Sequence, residues 1–239
     1  MKEEKYIFHE REIIQRTFYG EELQKLDDRL ITSIAACYIE VFSESWHRSW
    51  TLESAKEEIK TAFKYEKTRI PIASILFYEE KVIAFAWGCI TSAKYISAER
   101  DMPFKLPDEL KQVGVQKARY WLKNITKKEE LFIYGDYGAK KEYRGKLSAF
   151  MSYEIFDYLK NLGINTLLYW TNLRSRAFEL GVGAKLIPIH FFEFNDLVLI
   201  AGNVRYSHAF TEKIIKGGKK ELKQVYGEAG ANINDYFCR

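Results

Sequence analysis

Two apolar runs, Pro71–Tyr78 and Val82–Ile90, lie either side of the short charged segment Glu79-Glu80-Lys81. The runs are almost unbroken, where a strand with one wet face would alternate. That pattern suits a hairpin of central strands covered on both faces. A chain built around such a hairpin needs helices above and below its sheet. The 239 residues, 47% of them hydrophobic and 15% aromatic, supply enough core for this and argue against extended disorder.

Helical periodicity supplies the covering layers. Ile31, Ile34, Ala35, Tyr38, Ile39 and Phe42 recur at three and four within a helical region expected over Glu21–Phe42. Ser43–Trp50 reads as a loop, and Glu53–Ile59 as a helix capped by Thr51 or Ser54. Leu147, Phe150, Met151, Ile155, Tyr158, Leu159 and Leu162 make another stripe, closed by Gly163. Short strands are expected at Tyr6–Phe8, Leu131–Tyr137, Thr166–Trp170, Leu186–Phe194 and Leu197–Ala201, with Asn195-Asp196 turning the last hairpin. Glu10–Phe18 and Arg174–Leu180 read as short helices.

The fold class is therefore α/β, a mixed sheet with helices on its faces. Residues 1–202 form the expected main domain. Residues 91–130 form an expected insertion of loop, helix (Glu109–Leu122) and charged connection, and 203–239 a helical extension expected at Ser207–Lys216 and Lys219–Gly227.

Lysine and arginine exceed aspartate and glutamate by 37 to 33, a mild excess of +4 that points to no nucleic acid. Cys37 and Cys89 sit among apolar residues and read as buried thiols, with Cys238 apart from both. Three scattered cysteines suit a reducing compartment. With no signal-like or membrane-length apolar segment, a cytoplasmic protein is expected. The histidines and cysteines show no metal-ligand spacing, and there is no P-loop, nucleophile elbow or Rossmann fingerprint.

The stretch that carries chemistry is Lys140-Lys141-Glu142-Tyr143-Arg144-Gly145-Lys146-Leu147-Ser148-Ala149. It joins a strand to a helix through a basic, glycine-containing turn. Main-chain N–H groups and positive charge converge there, which suits a phosphate-bearing ligand. The turn and the order of elements from Ile31 to Gly202 resemble the GCN5-related N-acetyltransferase superfamily. That family carries Arg/Gln-x-x-Gly-x-Gly/Ala after its fourth strand, and Leu147 stands where the pattern has its central glycine.

The resemblance implies an acyl-CoA N-acyltransferase fold with a helical insertion and a C-terminal extension. It implies a direct transfer of acetyl from acetyl-CoA to a primary amine of a small molecule or peptide. Amides of Arg144, Gly145, Lys146, Leu147, Ser148 and Ala149 would hold the pyrophosphate, with the pantetheine arm between two splayed strands. Asn172 would lie near that arm or else cap the next helix. Asp136 would serve as the base. Glu179 takes the place of the family's tyrosine acid, and Tyr137, Tyr134 or Tyr169 could stand in for it. His47, between Trp46 and Trp50, falls in the region where the family builds its acceptor site. No metal and no membrane partner is implied, and a homodimer is compatible with the extension. The alternatives are a non-catalytic acyl-CoA-binding or regulatory protein on this scaffold, which Leu147 and Glu179 favour, and a transferase of larger acyl or aminoacyl groups.

Overall fold

A computed structural model describes residues 1–8, 10–46, 50–103, 106–126, 129–144, 146–173 and 175–217, without the side chains of residues 44–46, 146, 148, 176, 179 and 182. The chain divides into two compact units, Met1–Ile90 with Gly135–Ile155, and Thr91–Tyr134 with Phe156 onward.

In the first unit the strand order is β1-β2-β3-β4-β5, formed by Lys2–Phe8, Arg11–Tyr19, Ile70–Tyr78, Lys81–Ser92 and Glu130–Ala139, the last contributing Gly135–Ala139 here. The expected hairpin is β3–β4, and nearly every residue in it is buried. Its turn is the pair Glu79–Glu80, at φ 47° and 62°, the left-handed pair of a two-residue hairpin loop.

Glu10–Phe18, expected as a helix, is strand β2, paired to β1 on one side and β3 on the other. Phe18 of β2 is buried, and so are Ile13, Gln15 and Thr17 of its other face. Two of these three are polar, so the alternation is hidden in the composition. Gln15 Nε2 donates to Ser74 Oγ at 2.7 Å and to the Phe150 carbonyl at 3.2 Å. The Thr17 hydroxyl donates to the same serine oxygen at 3.2 Å. These bonds let polar side chains occupy a core position.

The helix expected over Glu21–Phe42 is broken in two. A 3₁₀ turn covers Gly20–Lys25, Leu26 is extended, and α1 runs Asp28–Trp46. The Asp27 carboxylate accepts from Leu30 N at 2.8 Å and caps it. Helix α1 thus takes in the first part of the expected Ser43–Trp50 loop; residues 47–49, His47 among them, lie outside the described residues. Helix α2, Leu52–Ala62, opens on the capping box of Thr51 and Ser54, and buries Ala55 and Ile59. Cys37 and Cys89 are both buried, and burial pushes the Cys37 thiol up to about 12.

In the second unit the strand order is β5-β6-β8-β7, with β5 contributing Glu130–Tyr134, β6 Thr166–Asn172, β7 Ile187–Phe191 and β8 Leu197–Asn203. β5 and β6 run parallel, paired at Phe132–Leu167 and Ile133–Leu168. β6 is paired with β8 antiparallel along all of Thr166–Asn172. Asn195 and Asp196, at φ 51° and 54°, form the β7–β8 turn. Short α3 (Ala98–Asp101) and α4 (Asp108–Trp121) occupy the 91–130 segment, followed by a π turn over Leu122–Thr126.

Helix α5, Lys146–Asn161, ends as its glycine suggests: Gly163 sits at φ 76°, while Ile164 N bonds Leu159 O at 2.9 Å and Gly163 N bonds Lys160 O at 3.1 Å. Helix α6 is Arg176–Gly183, and α7 is Val204–Lys216, capped by Asn203. The helix expected at Lys219–Gly227 and Cys238 lie outside the described residues. Among the described residues no helix is long and apolar enough to cross a membrane.

Candidate functional site

The first unit holds the carboxylate and the basic turn on one continuous piece of chain. Asp136 sits between Gly135 and Tyr137 near the end of β5. The glycines of this strand end let its neighbours come close. A Cβ on Gly135 would lie 3.0 Å from the Trp87 ring, and one on Gly138 would lie 2.5 Å from Val41 Cγ1. With α1 this near, Tyr38 Oη donates to Asp136 Oδ2 at 3.2 Å.

Tyr38 cannot swing away. Its ring stacks on Phe85 and Trp87 at 5.6 and 5.7 Å and meets Phe42 and Trp50 edge-on at 4.7 and 5.0 Å. Asp136 keeps an edge toward solvent, but protein crowds its carboxyl. Desolvation pushes its pKa up to about 7, the like charge of Glu58 adds to the rise, and the bond from Tyr38 opposes it.

Beyond β5 the turn is built by local bonds. Lys140 N bonds Ile83 O at 3.0 Å, and the Lys140 ammonium pairs with Glu40 at 2.7 Å. A 3₁₀ turn spans Lys141–Tyr143 and buries Tyr143. Arg144 is extended and exposed, and its Nε donates back to Ala139 O at 3.2 Å. Helix α5 starts at Lys146, and the first four amides of a helix have no acceptor within it. Gly145, and the side chains of Lys146 and Ser148, lie outside the described residues.

Leu147, at the family's glycine position, is fully buried. It heads the inward stripe of Leu147, Met151, Ile155 and Leu159, all 0% exposed. Its side chain is part of the core and does not stand in solvent over the helix start. Ala149 is buried as well.

The second unit carries Asn172, Tyr169, Tyr134 and Glu179. Asn172, at the end of β6, donates its amide to the Asn195 carbonyl at 2.9 Å and so ties β6 to the β7–β8 turn. At the start of α6 the Ser175 hydroxyl accepts from Phe178 N at 3.2 Å and lies 2.6 Å from Thr171 Oγ1. Tyr169 Oη donates to Ala177 O at 3.2 Å, and burial raises its phenol pKa. Tyr134 packs edge-on to Phe132. The side chain of Glu179 is outside the described residues. Tyr137 is half-buried, beside Asp136 in sequence and in the first unit.

Sequence reasoning missed Tyr38 and Arg11. Tyr38 was one member of an apolar stripe, although a phenol at a buried helical position needs a hydrogen-bond partner. Arg11 gave no signal of its own, because its partner Tyr143 is 132 positions away.

No family model matches the chain, and no curated protein matches it. Solved structures do. A yellow fever mosquito (Aedes aegypti) protein provisionally classed as arylalkylamine N-acetyltransferase 7 superposes with TM-score 0.55 at 7% identity, over 85% of this chain and 93% of that one. FeeM, an N-acyl amino acid synthase from uncultured soil microbes, gives 0.52 at 11%, over 80% and 89%. BjaI, a CoA-dependent acyl-homoserine lactone synthase, gives 0.51 at 9%, over 90% and 88%. At such identities the likeness speaks for architecture alone. The chain has a mixed α/β fold of the GCN5-related N-acetyltransferase type, with extensions.

Proposed function

We propose that this chain is an acyltransferase that moves an acetyl group from acetyl-CoA to a primary amine of a small molecule or peptide. The observation that carries the reading is Asp136. A desolvated carboxyl titrating near neutrality, held by Tyr38, stands on the strand that leads directly into a basic helix-start turn. Such a group accepts protons near physiological pH far better than an ordinary carboxylate.

In the reaction the amine nitrogen attacks the thioester carbonyl carbon. Asp136 takes the ammonium proton, directly or through one water. The C–S bond then breaks, and the thiolate leaves with a proton from Tyr137 or Glu179. Amides of Arg144, Gly145, Lys146, Leu147, Ser148 and Ala149 receive the pyrophosphate, with the Arg144 guanidinium adding charge. Asn172 is the residue of β6 proposed to face the cofactor arm. The inward packing of Leu147 supports this reading over the binding-only alternative, since its side chain belongs to the core.

Calorimetric titration with acetyl-CoA and with free CoA tests the turn, and amine-dependent release of free thiol tests the transfer. Binding of both ligands, lost on Arg144→Glu, is expected. Absence of binding would overturn the reading, and binding without amine-dependent thiol release would leave the non-catalytic alternative in its place.

A further inference from the structure

We infer that Tyr38 is the positioning residue for Asp136, fixing which carboxyl oxygen receives the proton. The inference rests on the transferase reading for its function but on geometry for its existence. Tyr38 Oη donates to Oδ2 and takes up one of its lone pairs, which leaves Oδ1 the better acceptor for the incoming proton. A hydroxyl can hold a carboxyl in one rotamer only if the hydroxyl itself is held. Here the four aromatic neighbours leave the Tyr38 side chain almost no freedom, and the residue is 4% exposed.

Among the described residues no other charge competes for this task. The ionisable groups acting on Asp136 are Glu58 of α2, which repels a negative carboxylate, and the Tyr38 phenol of α1. β4 presents Phe85 and Trp87 to Tyr38, and neither titrates. Among the described residues Tyr38 is thus the donor that favours the ionised carboxyl against both desolvation and Glu58. It opposes the rise that burial imposes, so that Asp136 exchanges its proton near neutral pH.

Tyr38→Phe tests this, because the ring and its packing survive while the donor is lost. Carboxyl ¹³C NMR follows the titration of Asp136 in both proteins, with Asp136→Asn assigning the signal. The midpoint is expected to rise in Tyr38→Phe by on the order of one pH unit, the usual effect of losing a hydrogen bond to a charged group. The acidic limb of kcat/KM should rise with it, kcat should fall several-fold below that limb, and KM for acetyl-CoA should stay the same. An Asp136 midpoint that is identical in the two proteins overturns the inference. A shifted midpoint in a protein with no amine-dependent thiol release overturns the transferase reading and leaves the Tyr38–Asp136 coupling established.

Discussion

Arg11 grips Tyr143 through both its hydroxyl and its ring: Nη1 donates to the phenol oxygen at 3.1 Å, and the guanidinium carbon lies 5.9 Å from the ring centroid. The same guanidinium lies 5.2 Å from the Tyr78 ring. The first residue of β2 therefore holds the residue that precedes Arg144, and with it the entrance to the basic turn.

Arg11→Ala should loosen that entrance. The lost hydrogen bond and cation–π contacts together are worth about 1–2 kcal/mol at a partly exposed site. Thermal unfolding should register the loss, and calorimetry should show acetyl-CoA affinity reduced several-fold. Lower stability with unaltered affinity would mean that the clamp serves the fold alone.

Leu147 yields a sharper prediction, because the family pattern suggests restoring its glycine. Here that change should harm the protein. Leu147 is fully buried at the head of the α5 stripe, and removing such a side chain costs about 2–5 kcal/mol, with roughly 1 more for glycine in a helix. Leu147→Gly should unfold at markedly lower temperature with no gain in CoA affinity. Tighter binding at unchanged stability would show that the leucine obstructs the turn.

What could be read from the residues was whatever short-range chemistry decides. The β3–β4 hairpin announces itself by unbroken apolar runs, Thr51 and Ser54 by their capping spacing, and Gly163 and Asn195-Asp196 by backbone conformations that few residues accept. The failures lie where a distant partner decides. β2 looked helical because Gln15 and Thr17 are polar at inward positions, and only Ser74 and the Phe150 carbonyl make that tolerable. Asn172 reaches the Asn195 carbonyl, 23 positions away, a bond that no local pattern announces. Asp136 was found through its place before the turn, yet its environment depends on Tyr38, 98 positions earlier. Pattern locates such a residue; pairing across the fold sets its chemistry.

Gly181 and Tyr169 form a second testable pair. A Cβ at Gly181 would lie 1.9 Å from Tyr169 Oη, so Gly181→Ala must displace the hydroxyl and break its bond to Ala177 O. Overpacking of this kind costs about 1–3 kcal/mol. Tyr169→Phe removes the clashing oxygen, and the nearest ring atom is then 3.2 Å away. The double variant Gly181→Ala/Tyr169→Phe should therefore be more stable than Gly181→Ala alone, giving a negative coupling in chemical denaturation. Additive losses would place the strain elsewhere.

Asp136 also leaves a mark on stability that needs no substrate to detect. Its pKa is raised from 3.8 to about 7 on folding, so between those values the native state binds more of the proton than the unfolded chain does. Where the folded state holds more protons, stability falls as pH rises. The contribution of Asp136 is thus fully present below about pH 4 and is lost on passing through 7. Asp136→Asn cannot titrate, so the difference in unfolding free energy between the two proteins should change steadily from pH 4 to 7 in favour of the variant. It should level off on either side. Denaturant unfolding at several pH values measures this directly; a difference independent of pH would show that Asp136 ionises as an ordinary surface carboxylate, and the case for it as a base would fall with that result.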